Sequence, residues 1–397
     1  MRLTLTDEQR LLEASALDLL EAEYDASARQ ASLAHREGCR PALWRQFAEL
    51  GWLALPLPEQ AGGLGCGLLE TGLLMQALGR HLVVEPYLAS AVLAGRLLAA
   101  LGGAESDALL PRLLAGEQRA ALAHAEFGVP DPYAAPSCRA EYASDGDRDA
   151  WRLHGFKPLV AGAPGAAALL VSARDAAGRC GVFLVPPDAP GLSLRACTLA
   201  DGSRAADLRL DGAAALRLGP PEQDLLALLQ RLLGQAAVAA CWEALGVMRA
   251  AQERTAAYTA QRVQFGQPLA RLQVVQHRLA EMLVCCEEAR AACQLAALRI
   301  DLQAGDRDTA LTMAAMAKSK VGRAARYVAQ EAVQLHGAMG VCEELPVAAS
   351  FRKLCAFGQQ FGSTAWHAEW LGRSQLASQA WRGSQTLVEE RSREAAT

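Results

Sequence analysis

The sequence predicts a multidomain α+β protein in which an all-helical N-terminal domain precedes a middle β-barrel-like domain and a C-terminal four-helix bundle. Apolar residues recur at helical spacing early in the chain, short alternating runs follow, and four long helical patterns come last. With 397 residues, 52% of them apolar, the chain is long enough for two or three domains. The predicted boundaries are 1–116, 117–219 and 220–382, followed by a polar tail, 383–397.

The N-terminal domain contains recognisable helix starts. Thr6 followed by Gln9 has the form of a capping box, in which each side chain accepts a hydrogen bond from the backbone N–H of the other residue. A second helix is predicted from Pro41, because the first turn of a helix tolerates proline, and Gly51 can end it. After a break that begins at Pro56, helical spacing resumes and continues to the end of the domain.

The middle and C-terminal domains differ in their sequence patterns. Between about Arg119 and Arg217, runs such as ALLVSA, GVFLVP and ADLRL alternate with Gly, Pro, Asp and Ser turn residues, which is typical of β-strands. Pro220 and Pro221 separate this region from long helical patterns, whose number and length indicate a four-helix bundle. The four predicted helices span residues 222–260, 271–303, 307–336 and 347–381.

Composition excludes several classes of function. The 39 Lys and Arg residues against 43 acidic residues give a net charge of -4 with no basic run, which argues against nucleic acid or anionic lipid as a partner. The eleven cysteines lack the close ligand pairs of zinc sites, so we predict no metal site and a reduced, cytoplasmic chain. The sequence also lacks the apolar segment of a signal peptide and a run long enough to span a membrane.

Two motifs in the predicted bundle carry candidate chemistry. The run RVQFGQPL begins at Arg262, whose guanidinium can pair with a pyrophosphate while the Phe265 ring packs on a cofactor. The run QLHGAMG begins at Gln334, which supplies an amide at the end of a helix. Within it, Gly337 and Gly340 allow the backbone to approach a phosphate or an adenine closely. Together the two runs indicate a cofactor site.

These motifs and their spacing, with an EQAGGLG run near residue 60, resemble those of acyl-CoA dehydrogenases, as does the order of the three domains. Within that family the sequence is similar to bacterial small subunits of pimeloyl-CoA dehydrogenase and to subunits of steroid side-chain dehydrogenases. The resemblance implies an FAD-dependent oxidoreductase of fatty acid metabolism. Such an enzyme dehydrogenates the α and β carbons of an acyl-CoA or other acyl thioester and passes the electrons to an electron-transfer flavoprotein.

The resemblance also implies that FAD is bound across a subunit interface. The assembly would be a homodimer or homotetramer, or a heterotetramer with a paralogue. The residues assigned to the cofactor lie in the two motifs, at the start of the second bundle helix and in the last helical region. They are Arg262, Gln264, Phe265, Gln273, Gln334, Gly337, Gly340 and Ser363.

The catalytic base of the family is not recognisable in this chain. The family reaction needs a carboxylate that removes the α-proton of the thioester, and members place it at one of two positions. Counted from the motifs, these positions fall on Phe361 and Ala236, so neither holds a base. Glu243 lies on the same helix face as Ala236, but the helical rise displaces it by roughly 10 Å. We expect a bundle arginine to pair with Glu243.

Other positions depart from the family pattern as well. A threonine that lies near the flavin falls on Ala125, with Glu126 kept beside it, and a second flavin-contact segment reads LVA from Leu159. Two hydroxyl hydrogen bonds to the isoalloxazine are therefore missing. The residues that often meet acyl-CoA correspond to Gly234 and Ala237, which makes recognition of ordinary fatty acyl-CoA doubtful.

Three functional hypotheses stay open at this point. The chain is a dehydrogenase subunit, a non-catalytic subunit that completes the FAD site of a partner or stabilises the assembly, or a flavin enzyme redirected to another oxidation. His277 and His336 lie within helical patterns, where a packed or capping histidine is the expected role. The visible absorption spectrum of the purified protein would separate the flavin enzymes from an empty scaffold.

Overall fold

The chain forms three packed regions in the order that the sequence predicts. The structure is a computed structural model that describes residues 4–144, 149–220 and 222–377. The predicted polar tail, 383–397, lies outside the described residues. In the part of the chain that is described, no helix is long and apolar enough to cross a membrane. The same residues contain no cluster of His, Cys, Asp and Glu side chains that could hold a metal ion.

The N-terminal region is helical, as predicted. Its helices are α1 (Asp7–Glu23), α2 (Ala26–Ala34), α3 (Pro41–Glu49), α4 (Leu68–Arg80), α5 (Arg96–Leu101) and α6 (Ala104–Leu114), with a π-helical segment (Leu88–Gly95) before α5. The capping box at α1 is confirmed, since the Gln9 N–H donates to Thr6 Oγ1 and the Thr6 N–H donates to Gln9 Oε1. The short helix α2 was not predicted; Asp25 caps it by accepting from the Ala28 N–H at 2.7 Å.

The middle region is a seven-stranded sheet that closes on itself. The strands are β1 (Ala120–Ala123), β2 (Arg139–Ser144), β3 (Asp149–Ala161), β4 (Ala168–Arg174), β5 (Cys180–Val185), β6 (Leu192–Thr198) and β7 (Arg204–Leu218). Strand β4 pairs with β5 along one edge and with β2 along the other, so that β4, β2, β3, β7 and β5 form a ring. The predicted β-barrel-like domain is confirmed.

The C-terminal region is a helical bundle with one break that was not predicted. It comprises α7 (Leu226–Gln261), a small hairpin of β8 (Val263–Gln264) and β9 (Gln267–Pro268), α8 (Gln273–Leu302), α9 (Arg307–His336), α10 (Pro346–Phe357) and α11 (Thr364–Ala377). The single fourth helix predicted from 347 to 381 is therefore wrong. Helix α10 ends at Phe357, and in the turn that follows Phe361 and Gly362 have φ angles of 54° and 91°, which a continuous helix does not allow. Ser363 then caps α11 by accepting from the Trp366 N–H.

Helix α7 fixes the bundle against the N-terminal region. It crosses α4 so closely that a Cβ added to Gly246 would lie 2.0 Å from the Gln76 carbonyl oxygen. A Cβ on Gly79 would lie equally close to the carbonyl oxygen of Glu243. A continuous apolar core joins α1 and α4 to α7, α8 and α9, which places the side chain of Glu243 at a rigid crossing.

Candidate functional site

A cleft of about 740 Å³ lies where the three regions meet. The N-terminal helices line it with Met75 and Leu78, and the π-helical segment contributes Leu88 and Leu93. The β domain and the bundle form the remaining walls. A largely apolar cavity of this size with a few polar side chains is the usual form of a small-molecule site.

The β-domain wall of the cleft contains the positions at which the sequence departs from the family pattern. Ala125 lines the cleft, as do Leu159, Val160 and Ala161. These side chains carry no hydroxyl group, so this wall offers a flavin ring packing contacts in place of side-chain hydrogen bonds. Leu159 has a φ of 49°, and its N–H is held by Asp207 Oδ1 at 3.0 Å.

A buried ion pair supports this wall from behind. Lys157 is fully buried and donates to Glu126 Oε1 at 2.7 Å, to the His124 carbonyl oxygen and to Ser172 Oγ. Burial opposes ionisation of Glu126, but Lys157 and hydrogen bonds from Ser137 outweigh it and lower the pKa of Glu126 to about 2. Burial and the Lys157 charge lower the pKa of His124 to about 4, so this imidazole is neutral at neutral pH.

The two family base positions converge on a single apolar cluster. Ala236 is fully buried beside Leu233 and Tyr133, and the partly buried Phe361 ring packs against the same cluster. Phe361 and Leu233 also line the cleft. The structure therefore places hydrocarbon where either carboxylate of the family would lie.

A charged cluster lies at another part of the cleft wall. Lys353 Nζ lies 2.9 Å from Glu243 Oε1 and 3.2 Å from Asp201 Oδ2, and all three residues line the cleft. Asp201 also accepts from the N–H and hydroxyl of Ser203. Burial disfavours the Lys353 ammonium, but the two carboxylates outweigh it and raise the pKa of Lys353 above its ordinary value. The lysine therefore stays charged.

This cluster corrects one prediction and reveals residues that the sequence did not. The partner of Glu243 is Lys353 and not a bundle arginine. Asp201 lies in the turn between β6 and β7 and Lys353 lies in α10, 152 residues apart in the chain. No local pattern in the sequence could have indicated that they meet.

The predicted cofactor motifs lie on a separate, exposed surface. Arg262 caps the C-terminal end of α7, Gln264 lies in strand β8, and Phe265 lies at the tip of the hairpin that follows. The Phe265 side chain is 84% exposed. Gln273 is exposed at the first position of α8. Of the described residues that line the cleft, none belongs to this hairpin surface.

The second motif joins the same end of the bundle. The Tyr258 ring, one turn before Arg262, stacks on the His336 ring with 4.3 Å between the ring centroids. His336 is buried and its Nδ1 lies 2.8 Å from the Ala332 carbonyl oxygen, so it packs as expected. The structure thus brings the Arg262 hairpin and the Gln334 segment together.

Other predicted residues have different surroundings. Gly340 is buried, and a Cβ there would lie 2.6 Å from the Val333 carbonyl oxygen, so packing against α9 requires this glycine. Ser363 lies apart from the hairpin surface, because it lines the cleft and caps α11. His277 is exposed on α8 and is not packed.

Comparison with known proteins establishes the family. Residues 6–117 match the acyl-CoA dehydrogenase N-terminal domain, and residues 226–376 match the acyl-CoA dehydrogenase C-terminal domain. The chain belongs to the acyl-CoA dehydrogenase family. Acyl-CoA dehydrogenase FadE27 of Mycobacterium tuberculosis is 31% identical over 323 residues, which cover 77% of this chain and 80% of that protein.

Solved structures of acyl-CoA dehydrogenases also share the fold. A variant of the Tcur3481-Tcur3483 steroid ACAD has a TM-score of 0.84 at 34% identity and covers 94% of this chain and 100% of that chain. The ChsE4-ChsE5 complex from Mycobacterium tuberculosis has a TM-score of 0.83 at 27% identity and covers 95% of this chain and 100% of that chain.

The exposed motif surface fits the FAD that acyl-CoA dehydrogenases bind. Among the described residues, the Arg262 side chain has no hydrogen-bond or ion-pair partner, which leaves the guanidinium fork free for a pyrophosphate. Gly337 has a φ of 62°, and a Cβ there would meet nothing within 4 Å, so its backbone is open to a ligand. Arg262, Gln334 and the Gly337 backbone would hold the cofactor's polar groups.

Proposed function

We propose that this chain is a subunit of an FAD-dependent acyl-CoA dehydrogenase and that its hairpin surface completes the FAD site of a neighbouring subunit. The observation that carries the proposal is the unpaired Arg262 beside the exposed Phe265 ring, on a surface that is separate from the chain's own cleft. An exposed aromatic side chain of this size is typical of a residue that another molecule covers.

We infer that the neighbouring subunit is a paralogue that carries the catalytic carboxylate. Ala236 and Phe361 leave this chain without a base at either family position, so two copies of it would complete two sites that lack one. Two structures of similar sequence are named as pairs of proteins, Tcur3481-Tcur3483 and ChsE4-ChsE5, which supports a heterotetramer over a homodimer or homotetramer.

The chemistry of the assembly follows from the family. FAD, when bound, supplies the acceptor for the hydride that leaves the β carbon of the acyl thioester, and an electron-transfer flavoprotein would take the electrons onward. This chain contributes Arg262 to the phosphates and the Phe265 ring to the contact between subunits. The α-proton would go to a carboxylate of the paralogue.

A second candidate is a dehydrogenase that uses its own cleft. One observation favours it: Glu243 is a carboxylate on the cleft wall and on the same helix as Ala236. The Lys353 ion pair opposes it, because Lys353 Nζ lies 2.9 Å from Glu243 Oε1 and already occupies that carboxylate oxygen. The distance of about 10 Å along α7 between Ala236 and Glu243 opposes it as well.

Co-expression tests the proposal. The chain is purified alone and together with acyl-CoA dehydrogenase paralogues from its own genome, and flavin absorbance and dehydrogenation are measured for each sample. We expect FAD and activity in a complex with a paralogue that has the family carboxylate. Full flavin content and rapid turnover in the chain purified alone would refute the proposal and favour the second candidate.

A further inference from the structure

We propose that Lys318 and His367 are positioning residues that hold the turn between α10 and α11, residues 358–363, against a flavin ring in the cleft. Neither side chain lines the cleft, so both act through the turn from the interior of the bundle. The inference rests on the proposed function, because it assumes that the assembly binds FAD. It concerns how the bundle side of the cleft keeps its shape.

Lys318 fixes the start of the turn. This residue of α9 is fully buried, and its Nζ donates to the carbonyl oxygen of Phe357 at 2.6 Å. Phe357 is the last residue of α10, where the carbonyl groups have no partner within the helix and carry partial negative charge. The ammonium also lies 4.0 Å from the centroid of the Phe357 ring.

The Lys318 ammonium has no carboxylate partner among the residues that the structure describes. A lysine is almost never fully buried without a counter-charge. Burial lowers the pKa of Lys318 to about 8, so the group is still charged at neutral pH. The carbonyl and the ring of Phe357 therefore stabilise this charge, which ties the end of α10 to α9.

His367 fixes the end of the turn. It is fully buried in α11, and its Nε2 lies 2.8 Å from the carbonyl oxygen of Phe361. Burial lowers the pKa of His367 to about 4, so the ring is neutral at neutral pH. Since a carbonyl oxygen can only accept a hydrogen bond, the ring proton is on Nε2, which donates to Phe361.

Close packing confines the turn on three sides. A Cβ added to Gly362 would lie 2.9 Å from Pro132 Cγ in the β domain and 3.2 Å from His367 Nε2 in α11. A Cβ on Gly322 of α9 would lie 2.1 Å from Thr364 Oγ1, at the first residue of α11. The β domain, α9 and α11 therefore all contact the turn or its end.

The turn forms part of the cleft wall. Residues 359–363 line the cleft, as do Ala125 and the segment from Leu159 in the β domain. Phe361 has a φ of 54°, an angle that a non-glycine residue keeps only where its surroundings impose it. Lys318 and His367 supply that constraint, so they set where the Phe361 ring lies relative to a flavin.

Variants of the assembled protein with bound FAD test the proposal. Lys318→Met and His367→Leu each remove one contact with the turn, whereas His367→Gln keeps an N–H donor for the Phe361 carbonyl. Val328→Ala is the matched control, because Val328 is fully buried on α9 but lies ten residues, about 15 Å, beyond Lys318. The visible absorbance and circular dichroism of the flavin are measured for each variant, and dialysis against FAD gives the affinity.

We expect Lys318→Met and His367→Leu to shift the flavin band and to weaken FAD binding by about tenfold, the effect of losing one hydrogen bond of ordinary strength. His367→Gln should retain the native flavin band, and Val328→Ala should lower only the thermal stability. If Lys318→Met and His367→Leu show the same flavin band and FAD affinity as Val328→Ala, both residues only stabilise the bundle and the proposal is overturned.

Hydrogen exchange separates this inference from the proposed function. If the native assembly holds no FAD, the proposed function fails, and mass spectrometry then measures the exchange of the amides of residues 358–364 in the purified chain. Faster exchange in Lys318→Met and His367→Leu than in Val328→Ala would support the positioning role, and equal exchange would overturn it. If Lys318→Met does not fold, the comparison of His367→Leu with His367→Gln decides both measurements.

Discussion

Phe361 and Ala236 occupy the two positions at which the motif spacing predicts the family's catalytic carboxylate, and neither residue is an acid. Both side chains belong to the apolar cluster around Leu233 and Tyr133, in which a ring and a methyl group pack well. Two residues beyond Phe361, Ser363 caps α11 by accepting from the Trp366 N–H. Arg262 differs from these two positions. It matches the family motif, but its side chain has no hydrogen-bond or ion-pair partner among the described residues.

At this scale the first prediction concerns catalysis. We expect the purified chain, loaded with FAD, to dehydrogenate butyryl-, octanoyl- and pimeloyl-CoA very slowly, because general-base assistance contributes typically about 10² to 10⁴ in rate. Anaerobic mixing with each thioester, followed by visible absorbance, measures the bleaching of the flavin. Rapid bleaching would contradict the prediction, and Glu243→Gln would then show whether Glu243 is the base.

The second prediction concerns Arg262. We expect Arg262→Ala to weaken FAD binding by about 10- to 100-fold, since a hydrogen bond to a charged group contributes about 1.5–3 kcal/mol. Equilibrium dialysis of the assembled protein against FAD measures the loss. Arg307→Ala is the matched control, because Arg307 is exposed at the first position of α9 and pairs with Asp308. An equal loss of FAD affinity in both variants, or no loss in either variant, would argue against a role for Arg262 in the cofactor site.

At the scale of elements, the wall of the β domain depends on the buried pair of Lys157 and Glu126. Strand β3 supplies Lys157, the segment after β1 supplies Glu126, and Ser172 from β4 completes the contact. A buried ammonium without its carboxylate would be strongly destabilising. This pair therefore sets how the β-domain wall of the cleft responds to acid.

The third prediction is a pH dependence with a defined sign. The pKa of Glu126 in the folded protein, about 2, is below its ordinary value of 4.5. Its contribution to the free energy of unfolding is therefore complete above pH 4.5 and is lost as the pH falls toward 2. The folded pKa of His124, about 4, is below 6.5, so the unfolded chain also takes up a proton there as the pH falls from 6.5 to 4. The free energy of unfolding should therefore decrease as the pH falls from 6.5 to 4 and again from 4.5 to 2.

Glu126→Gln tests this dependence. We expect it to lower the free energy of unfolding by about 3–5 kcal/mol near neutral pH, because it leaves Lys157 buried without its counter-charge. The difference from the native protein should narrow below pH 4.5, where the unfolded carboxylate becomes protonated. Urea unfolding at a series of pH values measures it. Glu222→Gln, which removes only a surface pair with Arg179, should cost less than about 1 kcal/mol. A difference that does not change with pH would refute this account.

At the scale of the whole molecule, exposed apolar groups mark the hairpin end of the bundle. Phe265 at the tip of the hairpin and Val263 beside it are 84% and 59% exposed. Val274 on α8 and Val341 after α9 are 59% and 68% exposed. Apolar groups collected at one end of a bundle are typical of a surface that another subunit covers.

The fourth prediction concerns assembly. We expect a dimer or larger species by light scattering at micromolar concentration, with or without a paralogue. Phe265→Asp should shift the distribution toward monomer, because burial of a carboxylate at the contact is unfavourable. Leu302→Asp, at an exposed position at the far end of α8, should leave the mass unchanged. A stable native monomer with no co-purifying homologue would contradict both the homodimer and the paired-subunit assembly.

The sequence by itself determined the family, the order of the three regions and the two base positions that carry no acid. These features can be predicted from local patterns, namely helical spacing, turn residues, and motifs such as RVQFGQPL and QLHGAMG. It also indicated the Thr6 capping box and the Pro41 helix start, which depend on residues a few positions apart. It failed at the break near Phe361, because helical periodicity continues on both sides of a short turn.

Only the tertiary structure decided what depends on distant contacts. It placed Lys353 of α10 between Glu243 of α7 and Asp201 of the β domain, and it set the buried Lys157 against Glu126. It also separated Ser363, which lines the cleft, from the hairpin surface around Arg262. The physical reason is that charge pairing and cavity shape depend on distances in space, which residue spacing along the chain does not specify.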